Sequence, residues 1–408
     1  MRNLENYYKD LEASHGKEIA DAVKQLNSLW DERVYEWLAS LWDGEAGGFY
    51  YSISARDNEG FYPDMESTAQ AQGSLTSMGI IYDLSVIPDS MKKKMVKFMK
   101  AKQDPEDGYF YHSQWGKDVT TSRRGRDLNH ATGIIKKYGG KPLYPTALER
   151  IEAASSSGNT ESESSTVPEH LRSKEAFIEY LESLNINGID MPGNSYPIGH
   201  RIGAQANEIE KAGLTDVCID FLNSTQKANG FWEDHLDHGT SNGAMKISCI
   251  YVRFKKPFPN IMTAFKSALD VLLADLPIGA ITSVFNPPYT LLNFIEIMES
   301  TGDTENLEMA RALLRENAVK LLNLTYERLI PFKKPDGSFS YCKTCSSFWS
   351  QGKQVALRDA FESDVNANSL ANGSKVRTLK ILGIPETDIF DEEDSKRFFK
   401  LCGESTEK

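Results

Sequence analysis

Apolar residues return at three- and four-residue steps along most of the chain. In "EIADAVKQLNSLWDERVYEWLASLW", residues 18–42, Ile19, Val23, Leu26, Leu29, Trp30, Val34, Trp37, Leu38 and Leu41 follow that spacing, which predicts an amphipathic helix or helix pair. The same period runs through "MKKKMVKFMKAKQ", "EHLRSKEAFIEYLESLN", "NIMTAFKSALDVLLADL" and "NLEMARALLRENAVKLLNLTYERL". Alternating, strand-like stretches are few and short, so the pattern predicts an all-α chain. The segment 153–169, "AASSSGNTESESSTVPE", has no period and is Ser/Glu-rich, as a mobile insertion would be.

Between the helical stretches a glycine-aromatic punctuation recurs. It appears as "GGFYYSISARDNEGFYPDMESTAQA" from Gly47, as "DGYFYHSQWGKD" from Asp107 followed by "RRGRDLNHATG", as "NGFWEDHLDHGTSNGAMKISCIY" from Asn229, and as "DGSFSYCKTC" from Asp336 followed by "ESDVNANSLA". Each turn follows a predicted helix and precedes a polar residue expected to open another: Asp64, Asp127, Asn242 and Asp364. Two weaker copies, "PGNSYPIGHRIGAQANEIEKAG" and "SVFNPPYTLLNFIEIM", fill the gaps. The repeat makes about six helix-loop-helix units of roughly fifty residues, each needing neighbours to cover its apolar face.

On these repeats, from about residue 18 to about residue 385, the chain resembles the (α/α)6 toroids: six-hairpin glycosidases, related polysaccharide lyases, and the terpenoid cyclase and protein prenyltransferase group. "GYFYHSQW" and "DGSF" look like the Gln-Trp repeats of triterpene cyclases, where the turn locks one helix to the next. The resemblance implies a single (α/α)6 toroid domain of about six helical hairpins over residues 1–408, with 386–408 as a C-terminal tail. It says little about chemistry, which resides in sites and not in folds.

Charge and composition narrow the partners. A formal net charge of −12 disfavours nucleic acid, and no apolar run is long enough to span a bilayer. The N-terminus lacks the apolar stretch of a signal peptide, and five irregularly spaced cysteines do not form a disulfide framework, so a reduced, cytoplasmic protein is expected. No oligomeric state follows from the sequence.

In a toroid the loops and the inner-helix N-termini gather at one end and favour anions. Arg123, Arg124, Arg126, Arg201 and Lys246 add positive charge there, which points to a small-molecule or oligosaccharide ligand, anionic and possibly uronic-acid-containing. Asp64, Glu66, Asp127 and Asp364 are the candidate acids, bases or nucleophiles for a glycoside hydrolase, which needs two carboxyl groups. Capping is the competing role for Asp64, Asp127 and Asp364. His200 joins the catalytic candidates for a lyase, which needs a base and a charge neutraliser. Tyr111, Trp115, Trp232, His235, Asn242, Tyr289 and Asn366 are expected on the substrate with Arg124, Arg126 and Lys246. "WEDHLDH" and "CKTC" lack the other half of a zinc site, so neither a metal nor a cofactor is expected. The alternatives are a terpenoid cyclase or prenyltransferase, whose DxDD and DDxxD strings do not occur, and a non-catalytic toroidal binding protein.

Overall fold

The computed structural model describes residues 4–157, 168–186 and 195–404, without the side chains of 154–157. With 62% helix and 4% strand the chain is all-α. Six helices lie along the repeats: α1 (Met65–Ser77), α2 (Thr121–Lys137), α3 (Ser195–Ala204), α4 (His238–Phe254), α5 (Thr282–Thr301) and α6 (Val365–Ile381). Each packs on the next, and α6 packs back on α1. Further helices cover them: Asp89–Lys100 packs on α2, Ile261–Leu273 on α5 and Ala318–Leu329 on α6.

The burial pattern explains the layering. Leu75, Leu128, Ile202, Ile247, Leu291 and Leu379 are buried among the surrounding apolar side chains. Residues on the other side of the same helices, among them Gln70, His130, His200, Tyr289 and Arg377, are only half-buried and polar. A helix that hides one stripe and keeps another polar needs a partner outside and space within.

The glycine-aromatic turns supply the joints. Gly47, Gly108, Gly230 and Gly337 have φ of 86°, 76°, 81° and 83°. Each lies against the next outer segment: Gly47 on Lys94, Gly108 on Pro145, Gly230 on Ala264 and Gly337 on Arg33. The last of these joins the fourth strong repeat to the helix Glu32–Ser40 near the chain's start. At Gly230 a Cβ would stand 2.6 Å from the Cα of Ala264, so only glycine combines that left-handed backbone with that approach. The residue ahead of three of these glycines ties the turn, since Asp107, Asn229 and Asp336 accept from the amides of Tyr109, Phe231 and Ser338 at 2.9 Å each.

Loop hydrogen bonds tie turns to the N-termini of α5 and α6. Tyr51 O accepts from Val365 N at 3.0 Å, and Tyr341 O from Ile281 N at 3.0 Å. A short hairpin of β3 (Trp349–Ser350) and β4 (Lys353–Gln354), preceded by β1 (Trp42–Asp43) and β2 (Gly48–Phe49), reaches the N-terminus of α2. Its tip residue Gln351 accepts through its carbonyl from Thr120 Oγ1 at 3.3 Å and meets His200 at 2.8 Å.

Three expectations change here. Asp64 and Asp364 do cap α1 and α6, but α2 opens at Thr120, whose hydroxyl accepts from Arg123 N, and α4 opens at Asp237 in a capping box with Thr240. Asp127 and Asn242 therefore lie inside their helices. The 386–408 segment carries the helix Glu392–Leu401, which buries Phe398 and Phe399 and packs on Glu32–Ser40. Of the 153–169 segment, residues 153–157 continue the helix Ala147–Ser157 and 158–167 lie outside the described residues.

Candidate functional site

Polar side chains meet across neighbouring members of the six-helix cycle. Glu66 of α1 pairs with Arg126 of α2. Tyr196 of α3 carries the Lys246 ammonium of α4 over its ring, 5.6 Å from the centroid. Asn286 of α5 donates to Asn242 of α4 at 2.7 Å. Arg377 of α6 stacks on Tyr289 of α5 at 3.9 Å, and Gln70 of α1 donates to Asn366 of α6 at 3.0 Å. Arg126 bears electrostatically on Glu66, His130, Tyr196, His200 and Lys246, side chains carried by four helices.

The inner space is open beside this group. Gly73 and Gly133 are one and two turns beyond Gln70, Glu66, His130 and Arg126 on the same faces; both are exposed, and a Cβ on either would meet nothing within 4 Å. A cavity of about 600 Å³ at the N-terminal end is bounded by Thr120, His170, Tyr180, Tyr196, His200 and Gln351. Another of about 380 Å³ lies toward the helix C-termini, among Cys249, Tyr289, Asn293, Glu296, Arg377 and Lys380.

Protonation states follow from burial and from Arg126. Burial alone would raise the Glu66 carboxyl, but Arg126 and Arg123 hold it at about 2. Burial, reinforced by Arg126, brings His130 down to about 4; burial, Lys246 and Arg126 do the same for His200. Both imidazoles are neutral near pH 7. Burial and Arg126 lower Lys246 to about 8, so its charge is labile just above neutrality. Burial raises the Tyr196 phenol, which stays protonated. With Gln351 Oε1 as acceptor, His200 Nε2 carries the proton and Nδ1 presents its lone pair. Arg126 Nε, Gln70 Oε1 and His130 Nε2 are buried without a hydrogen-bond partner in the protein, and Glu66 Oε2 has only the Arg123 guanidinium, at 3.9 Å. Unmatched polar atoms clustered on one wall mark a surface that water or a ligand satisfies.

Other candidate residues stand elsewhere. Arg123 is wholly buried: Nε donates to Asp127 at 2.8 Å, Nη2 pairs with Asp64, and the guanidinium lies over Trp115 at 4.6 Å. Asp64 and Asp127 are thus held in an ion network behind the inner face, and burial pushes Asp127 up to about 7 against the pull of Arg123. Asp364 accepts from the amides of Ala367 at 2.8 Å, Tyr341 at 2.9 Å and Ser347 at 3.3 Å, and from Tyr51 Oη at 3.1 Å, while burial raises it to about 6. Trp232 is buried and donates to Leu222 O at 3.3 Å. Arg124 stacks on Tyr109, Tyr111 donates to Asp107 at 2.8 Å, and His235 is an exposed neighbour of Asp237. The structure brings Glu66, Arg126, His200, Asn242, Lys246, Tyr289 and Asn366 into the cross-helix polar contacts and leaves these others in packing or capping positions. His130, Gln70 and Gln351 were missed. The first two follow by i+4 spacing from Arg126 and Glu66; Gln351 comes from a distant hairpin with no local signal.

An all-α protein is the class that the fold defines. The sequence matches no protein-family model and no curated protein.

Proposed function

We propose that the six helices close an (α/α)6 toroid and that its lumen acts as a lyase on a uronic-acid-containing oligosaccharide. The cyclic packing of the inner helices supports the first part. The observation that carries the second is the convergence on Arg126 of a labile ammonium, a neutral imidazole and a protonated phenol.

Elimination begins with removal of the C5 proton beside the uronate carboxylate, which needs that carboxylate's charge neutralised. Arg126 and Lys246 supply the positive charge. His200 Nδ1 takes the C5 proton, a C4=C5 double bond forms as the C4–O bond breaks, and Tyr196 Oη gives its proton to the leaving oxygen. Hydrolysis would instead require two carboxyl groups free to act on opposite sides of the sugar, and Glu66 is paired with Arg126. Asp64, Asp127 and Asp364, the sequence's other candidates, are engaged with Arg123 or with helix-end amides.

A panel of uronic-acid oligosaccharides incubated with the protein distinguishes these outcomes. Elimination gives ultraviolet absorbance from the unsaturated uronate and products whose masses sum to that of the substrate. Products heavier by one water would replace the lyase with a hydrolase. Absence of turnover on the whole panel would remove the enzymatic reading.

A further inference from the structure

The "CKTC" turn lies outside the lumen, in the connection that leads to β3. Cys342 N donates to Cys345 O at 3.0 Å. That contact between residues i and i+3 brings their Cα atoms within the roughly 4.4–6.8 Å that a disulfide spans. Lys343 and Thr344 at the tip are exposed and both cysteines are half-exposed, so an exchange partner can reach the sulfurs. Cys218, by contrast, is buried.

Burial, the neighbouring Cys345 and Asp364 push the Cys342 thiol up, and Lys334, whose Nζ donates to Lys343 O at 2.9 Å and which bears electrostatically on both sulfurs, pulls the other way. The base of the turn is fixed: Ser340 Oγ donates to Cys342 O, and Cys342 bridges Ala280. A closed zinc site needs four ligands, and no group of three or more metal-ligating side chains occurs among the described residues.

We infer that Cys342 and Cys345 are a redox modification site, a vicinal dithiol that closes reversibly to a disulfide by exchange with a small-molecule or protein disulfide. One thiolate attacks the external disulfide and releases one thiol, leaving a mixed disulfide. The second thiolate displaces the other thiol. Two electrons pass to the external disulfide, whose two sulfurs leave as thiols with the pair's two protons. The turn is three residues from β3, so closure acts at the root of the hairpin whose tip holds His200.

The full chain, reduced and freed of reductant, is incubated with oxidised glutathione, quenched with acid, then alkylated under denaturing conditions and weighed. The expected result is loss of two hydrogens and a fall from five alkylated thiols to three, the protected pair mapping to Cys342 and Cys345 and returning on reduction. Cys345→Ser and Cys342→Ser should each prevent that internal bond, and at least one should retain a glutathione adduct. Five alkylated thiols after oxidant, or a persisting glutathione adduct on the wild-type chain without an internal bond, overturns the inference. So does zinc alone shielding both sulfurs at one ion per chain.

Discussion

Replacing Arg123 with methionine tests whether the buried ion network holds α1 and α2 in register. The side chain is fully buried, as are its partners Asp64 and Asp127, so solvent does not screen the pairs. Breaking such a pair by removing one partner costs about 3–5 kcal/mol, because the remaining charges stay buried and unpaired. With an unfolding entropy near 2.1 cal/mol/K per residue, a chain this long loses about 1 °C in Tm per kcal/mol, so a fall of about 3–6 °C is expected. The pH dependence is more diagnostic. Asp127 already titrates at about 7, above the ordinary carboxylate value, so the native state holds a proton that the unfolded chain has released and stability falls as pH rises toward 7. Without Arg123, which pulls Asp127 down, the Asp127 carboxyl moves higher, and that decline extends further upward. The Tm gap between variant and wild type should therefore widen from pH 6 to pH 8 in differential scanning calorimetry. A gap below about 1 °C, or one that does not change with pH, would refute the charge network as the source of register.

Three further outcomes are expected. Gly230→Ala combines a left-handed φ with a 2.6 Å approach to the Ala264 backbone and should cost about 2 kcal/mol or more, whereas Gly133→Ala, with an ordinary helical backbone and open space, should gain about 0.5–1 kcal/mol; paired urea melts decide both. Asp364→Ala leaves three backbone donors without their acceptor and should destabilise by about 2–4 kcal/mol while uronate binding, measured by calorimetry, persists. Uronate affinity should fall as pH rises through about 8, where Lys246 loses its proton, and Lys246→Arg should carry binding to higher pH; a pH-independent affinity removes Lys246 from the ligand.

Helix identity was legible because period, turn and cap are local. The glycine-aromatic strings marked the joints correctly, since a positive φ and an Asx turn are written into two or three residues. Helix starts were legible only where one acceptor competed: Asp64 and Asp364 stand directly before their helices, but Thr120 and Asp237 open α2 and α4 upstream of the more conspicuous Asp127 and Asn242. Which polar residues face inward depends on helix rotation, which the tertiary packing sets. Arg123 and Arg126 differ by three positions on α2, yet one is sealed against Trp115 and the other meets Glu66. The hairpin contact from Gln351 to His200 joins residues 151 positions apart, and no sequence window contains both.

The two arginine pairs explain why a costly buried network sits beside a candidate ligand wall. Asp64 and Glu66 are two residues apart at the start of α1, so their side chains leave the helix in different directions. Arg123 and Arg126 are offset likewise on α2. The rear pair, Asp64 with Arg123, is tied a second time through Asp127, which lies four residues from Arg123 on the same helix, and so fixes how α2 is rotated against α1. Once that rotation is fixed, Arg126 has little freedom except to face Glu66, and its unmatched Nε remains with Gln70 Oε1 and His130 Nε2 as the unspent hydrogen-bonding capacity of the wall. A buried salt bridge adds little net stability compared with apolar packing, so its physical value here lies in orientation. A positively charged group held in one direction before a ligand arrives need not reorganise when charge develops beside it. Under the proposed lyase activity Arg123 positions and Arg126 meets the ligand, so Arg126 substitutions should weaken binding at little cost in stability while Arg123 substitutions do both.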